Sequence, residues 1–117
     1  MTTLAEAATE LRDALRLTGV RAVLEPDHIN PPCVFLKIKH LEDRHLAAGV
    51  MTVEWYLYLC APVGKLIDAY RHFDDLRAVI LPAGFRTNGL GEAVELELPG
   101  GGKPVPALQC TIRTKID

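Results

Sequence analysis

The chain has 117 residues, 49% of them hydrophobic and 24% charged. That is the composition of one ordinary globular domain and excludes a disordered polypeptide. Thirteen Lys and Arg against fifteen Asp and Glu leave a formal charge of −2, which excludes a protein whose affinity for DNA comes from neutralising many phosphates at once.

The first element is a helix. Thr3 with Glu6 three residues on makes a capping box, and Leu4, Ala8, Leu11 and Leu15 recur at helical spacing up to Gly19, a left-handed cap position. Arg21 to Leu24 reads as a short strand ended by Pro26. A rigid connector, Asp27-His28-Ile29-Asn30-Pro31-Pro32, follows. Cys33 to Lys39 alternates, with Val34, Leu36 and Ile38 on one side and Phe35, Lys37 and Lys39 on the other. Leu41 to Gly49 is charged and Gly-terminated, the pattern of a loop. Met51 to Cys60 is the longest strand, with Val53, Trp55, Leu57 and Leu59 facing away from Glu54, Tyr56 and Tyr58.

Pro62 and Gly64 end that strand, and from Lys65 the period becomes 3.6, with Leu66, Ala69, Tyr70, Phe73, Leu76 and Ile80 in one stripe closed by Pro82 and Gly84. Phe85 to Gly91 fits either a brief strand or an irregular connector. Ala93 to Leu98 alternates again, Pro99 to Pro106 is a Gly/Pro hairpin connection, and Leu108 to Ile116 is the last strand. The expected fold is one α+β domain over residues 1–117. It is a two-layer sandwich of order α-β-β-β-α-β-β, with two helices on one face of a mostly antiparallel sheet. The other face collects Lys37, Lys39, Glu54, Tyr56, Tyr58, Glu95, Glu97, Arg113 and Lys115. It reads either as a solvated outer surface or as the lining of an aqueous channel.

Chemistry-bearing patterns are sparse. His28 and Cys33 are five apart across a double proline, and His40 and His45 are also five apart; neither spacing builds a zinc site, so no metal is expected. The chain contains no Ser, which excludes Ser-based triads. Cys33, Cys60 and Cys110 lie in apolar strand segments, not beside cations that would activate a thiol, and read as buried residues of a reducing compartment. Glu95 and Glu97 share a strand face about 7 Å apart, a spacing any exposed strand with this pattern has. Gly100-Gly101-Gly102-Lys103 lacks the spacing of a phosphate loop and leads into prolines, not a helix. No catalytic constellation and no cofactor are expected. The opening Met1-Thr2-Thr3-Leu4-Ala5-Glu6 lacks a basic segment ahead of an apolar one, so no secretory signal is expected. Nor is a membrane span: the best apolar stretch, Val53 to Val63, holds Glu54 and Pro62.

The order of the whole chain carries a resemblance. The helix ending in Leu17-Thr18-Gly19-Val20-Arg21-Ala22, then Pro26-Asp27-His28-Ile29-Asn30-Pro31-Pro32-Cys33-Val34, is similar to small proteins of the tail-assembly modules of tailed bacteriophages. The Gly-rich linker, then Pro104-Val105-Pro106-Ala107-Leu108-Gln109 and an alternating Thr/Arg strand, fits the same group. The chain resembles the tail terminator (tail tube completion) family of long-tailed phages. The resemblance implies a non-enzymatic virion protein, made in the host cytoplasm. It would assemble as a hexameric ring on the head-proximal end of the tail tube, stop tube growth and dock a head completion or connector protein.

In such rings the sheets line the channel and the helices pack outside. That implies a channel wall of Lys37, Lys39, Glu54, Tyr56, Glu95, Glu97, Arg113 and Lys115, past which DNA moves without specific binding. The resemblance also makes the segment Glu42, Asp43, Arg44 and His45 the first candidate for reaching a neighbouring subunit or the tube, with Pro99 to Pro106 the second. Two other classes fit the same residues. One is a head–tail connector or tail-completion factor of the same module; the other is a small cytosolic α+β enzyme or ligand-binding domain, dimeric, using Cys33 or His28.

Overall fold

The computed structural model describes residues 3–45, 50–85 and 91–116. Thr3 opens the first helix, α1 (Leu4–Leu17): its Oγ1 accepts the Glu6 N–H at 3.1 Å and donates to the Glu6 carboxylate at 3.1 Å. A threonine at this place is worth ~1 kcal/mol over alanine. Gly19, two residues past the helix, has φ of 99° and donates its N–H to the Arg16 carbonyl at 3.0 Å. A side chain there would be strained against its own backbone. The turn then feeds β1 (Ala22–Val23), tied to α1 by Arg16 Nε donating to the Ala22 carbonyl at 2.9 Å.

A single 3-10 turn, Pro26–His28, leads to β2 (Cys33–His45). After it come β3 (Val50–Cys60), α2 (Leu66–Ile80), β4 (Glu92–Leu96) and β5 (Val105–Ile116). The strands lie in the order β1-β2-β3-β5-β4; β1 is parallel to β2 and the other neighbours are antiparallel. Both helices cover one face. Leu11 and Leu15 of α1, with Ala69, Phe73, Leu76 and Ile80 of α2, pack on Val34, Leu36, Val53, Trp55, Leu57, Leu59, Cys110 and Ile112 of the sheet. This is the expected α+β sandwich with the expected order of elements.

Three local expectations are corrected. Leu41 to His45 is not loop: β2 continues through it, with Leu41 opposite Val53, Glu42 opposite Thr52 and Asp43 opposite Met51. The cause is a β-bulge between Ile38 and His40, where Lys39 is an extra residue relative to β3. It moves the alternation on by one and hides the strand from a period-two reading. Residues 46–49 of that expected loop, and residues 86–90 of the 85–91 connector, lie outside the described residues.

The second correction concerns the far sheet face, which is not polar throughout. Val23, Ile29, Cys33, Phe35, Tyr58, Cys60, Val105 and Ala107 form a smaller apolar cluster there, with Val94, Leu96 and Leu98 leaning on it. Tyr58 is only 7% exposed and belongs to this cluster. The third concerns β4, which ends at Leu96. Because Val94 and Leu96 serve the second cluster, Glu95 is turned to the helix-bearing side, opposite Pro106.

Candidate functional site

The polar part of the far face centres on Glu54. Its strand, β3, is central in the sheet and puts Val53 and Trp55 into the main core, so Glu54 between them points to the other face. It is 5% exposed, the only buried charged residue among the described residues. A carboxylate removed from water needs charged or hydrogen-bonding partners, and three side chains supply them. Lys39 Nζ lies 3.1 Å from Oε1, Arg113 Nε 3.3 Å from Oε2, and His40 Nε2 3.4 Å from Oε2. The hydrogen bond from Lys39, reinforced by the charges of Lys39, Arg113 and His40, holds the Glu54 carboxyl below its ordinary range despite the opposing effect of burial.

Two structural devices deliver these partners. Register places Arg113 of β5 directly across from Glu54. The bulge does the rest, since it lets the consecutive residues Lys39 and His40 reach the same carboxylate. Lys39 also sits 5.7 Å above the ring centroid of Tyr56, within cation–π range. Tyr56, Tyr58 and Phe35 continue the surface as a row of rings with centroids 5.7 Å apart, grading from the charged end into the apolar cluster.

Of the side chains expected on this face, Lys37, Lys39, Glu54, Tyr56, Arg113 and Lys115 share it: Lys37 lies opposite Tyr56, and Lys115 lies opposite Thr52, two residues from Glu54. Glu95 and Glu97 do not join them. Glu95 is on the helix side, where it borders a cleft with Leu66, Tyr70 and Pro106, and Glu97 follows the end of β4. The pattern Val94, Leu96, Leu98 against Glu95, Glu97 was legible, but not which half faces which layer. Glu42, Asp43, Arg44 and His45, expected in a contact loop, belong to β2; Glu42 lies opposite Thr52, and the side chains of Asp43, Arg44 and His45 lie outside the described residues. His40 is the member that sequence alternation misses, because its face depends on the bulge. The only signal for it was the dipeptide Lys39-His40 opposite an isolated glutamate.

The remaining candidates stay apart. His28 is exposed at the end of its 3-10 turn, whereas Cys33 is fully buried. Among the described residues no group of three or more His, Cys, Asp and Glu could hold a metal ion, and no helix is long and apolar enough to cross a membrane. Cys33 and Cys60 face each other across β2 and β3. The hydrogen bond with Cys33, together with burial, pushes the Cys60 thiol far above its ordinary range, and burial raises Cys110. Both are therefore protonated, weak nucleophiles at neutral pH; Cys33 departs from the expectation, because the hydrogen bond with Cys60, helped by the Arg21 charge, lowers its thiol against the opposing effect of burial.

The arrangement thus presents a sheet surface of mixed charge in which one buried carboxylate partly offsets the cations around it. Comparison of the chain with protein-family models and with curated proteins finds no match.

Proposed function

We propose that the protein is a structural component of a phage tail that caps the head-proximal end of the tail tube as a ring, ends tube polymerisation and forms the joint to the head connector. The order of elements and the segments through Pro31-Pro32 and Pro104-Val105-Pro106 support this through their likeness to the tail terminator family. The observation that carries the reading is the charge compensation around Glu54. Lys39, His40 and Arg113 converge on one carboxylate, which offsets part of the positive charge that Lys37, Lys39, Arg113 and Lys115 bring to the sheet face. A basic wall retains phosphates through counterion release; a carboxylate held among its cations weakens that retention and favours passage of a duplex. On this reading the face around Lys37, Lys39, Glu54, Tyr56, Arg113 and Lys115 lines the channel and the two helices lie outside.

Deleting the gene from its phage tests the role. Abnormally long tubes without heads are the expected outcome. Tails of normal length beside DNA-filled heads would instead assign the protein to a joining step, and normal infectious particles would overturn both.

A further inference from the structure

The three cysteines are all free and buried, but the sheet sorts them into a pair and a single residue. Cys33 and Cys60 belong to the smaller apolar cluster on the far face. Cys110 lies in the main core under the helices, paired in register with Leu57. The sheet stands between it and the other two.

Cys33 and Cys60 are direct partners in the β2–β3 ladder. Such partners in an antiparallel pair have Cα atoms about 4.5 or about 5.5 Å apart, and both separations fall within the roughly 4.4–6.8 Å that a disulfide spans. The two thiols are already joined by a hydrogen bond, so the sulfurs themselves are adjacent. Cys60 Sγ also lies 3.7 Å from the Tyr58 carbonyl oxygen.

The place of the pair in the chain gives a bond there a purpose. Cys33 is the first residue of β2 and Cys60 the last of β3. They close the end of this hairpin that lies away from the chain connection between its strands. Ladder ends open locally at the least cost, which lets a small reagent reach thiols that are fully buried at rest. Val23, Ile29, Phe35 and Tyr58 of the same cluster then shut over them.

We infer that Cys33 and Cys60 form a closable dithiol, which a hydroperoxide converts into a disulfide that staples the mouth of the β2–β3 hairpin. The Cys33 thiolate, favoured by its hydrogen bond with Cys60, attacks one peroxide oxygen. An S–O bond forms, the O–O bond breaks and hydroxide leaves, giving a sulfenic acid on Cys33. Cys60 Sγ then attacks the Cys33 sulfur. The S–S bond forms, the S–O bond breaks, and the oxygen departs with the Cys60 proton as water. Two thiols are oxidised and one peroxide is reduced to two waters, the second water taking the proton that Cys33 gave up. A reducing cytoplasm keeps the pair open, and an oxidising exterior lets it close. The chemistry does not depend on the tail reading, and either can fail while the other stands.

The test treats the folded, reduced wild-type chain with hydrogen peroxide and follows intact mass and a non-reducing peptide map. A second sample is refolded from denaturant in a mixture of oxidised and reduced glutathione, which removes any barrier of access. The expected product of both is a chain lighter by two hydrogens, with Cys33 linked to Cys60 and Cys110 still a free thiol. The unfolding midpoint of that product should rise by roughly 5–15 °C. Reduced glutathione should open the bond at least about tenfold faster in the denatured chain than in the folded one. Added oxygen on Cys33 without a crosslink, a bond to Cys110, or three free thiols after both treatments would overturn the inference. A linked chain with a lower midpoint than the reduced one would overturn the staple.

Discussion

Arg113 on β5 stands directly opposite Glu54 on β3, its Nε 3.3 Å from a carboxylate that is only 5% exposed. The guanidinium itself is half exposed, so the pair joins a buried anion to a cation that still faces water. Through Arg113, Lys39 and His40, the anion links β5 and β2 across the central strand. The charged face is thereby part of what holds the sheet in register, not a coating on it.

Acid should weaken the fold through this residue. Glu54 titrates below an unfolded carboxyl's value of about 4.3, so folding favours its ionised form. That stabilisation is complete above the unfolded value and is lost as pH falls through the lower, folded one. Thermal unfolding midpoints of the wild type, followed from roughly pH 6 to about pH 3, should fall. Glu54→Gln should start from a lower midpoint and fall less steeply over the same range.

The same substitution should change how the surface treats DNA. Removing the one buried negative charge frees Lys39, His40 and Arg113 together, and each added phosphate contact steepens the salt dependence of binding by about 0.9 in logarithmic slope. Wild-type protein should show weak retention of duplex DNA in a filter or fluorescence assay. Glu54→Gln should bind several-fold more tightly at low salt and lose that gain as salt is raised. Equal retention by the two proteins would remove the argument from charge compensation at Glu54 for the channel.

Stability should depend sharply on position. Leu57 is fully buried in the main core, so Leu57→Ala should cost about 2–5 kcal/mol in denaturant unfolding. Gly19→Ala forces a side chain into positive φ and should cost roughly 1–2 kcal/mol. Lys37→Ala, at an exposed position, should stay within about 0.5 kcal/mol of wild type. An unfolding series that did not rank the three in this order would contradict the packing described above.

The sequence made the fold legible wherever one physical rule acted alone. The capping box at Thr3, the 3.6 period from Leu66 to Ile80 and the alternation of Val53, Trp55, Leu57 and Leu59 each map onto an observed element. It became illegible where two rules met. In β2 the charges from Glu42 onward argue for a loop while pairing with the long β3 demands a strand, and pairing prevails. In β4 alternation is plain, but the choice of face is settled only by the apolar cluster around Phe35, Tyr58 and Val105, which no local pattern announces. Of the charged face, the six residues from Lys37 to Lys115 that share it follow from simple alternation. His40 and the exclusion of Glu95 depend on a bulge and on a distant packing partner.

The bulge at Lys39 has a consequence for how this strand can change. In a regular strand, neighbouring side chains point apart, so only one of two successive residues can reach a given carboxylate. Here Lys39 is inserted and not substituted: His40 still pairs with Glu54 and Leu41 still pairs with Val53 beyond it. A chain lacking residue 39 would straighten while keeping every later residue on its present face. The cation is therefore modular. The strand can acquire or shed one positive charge beside Glu54 with its reading frame toward the core intact.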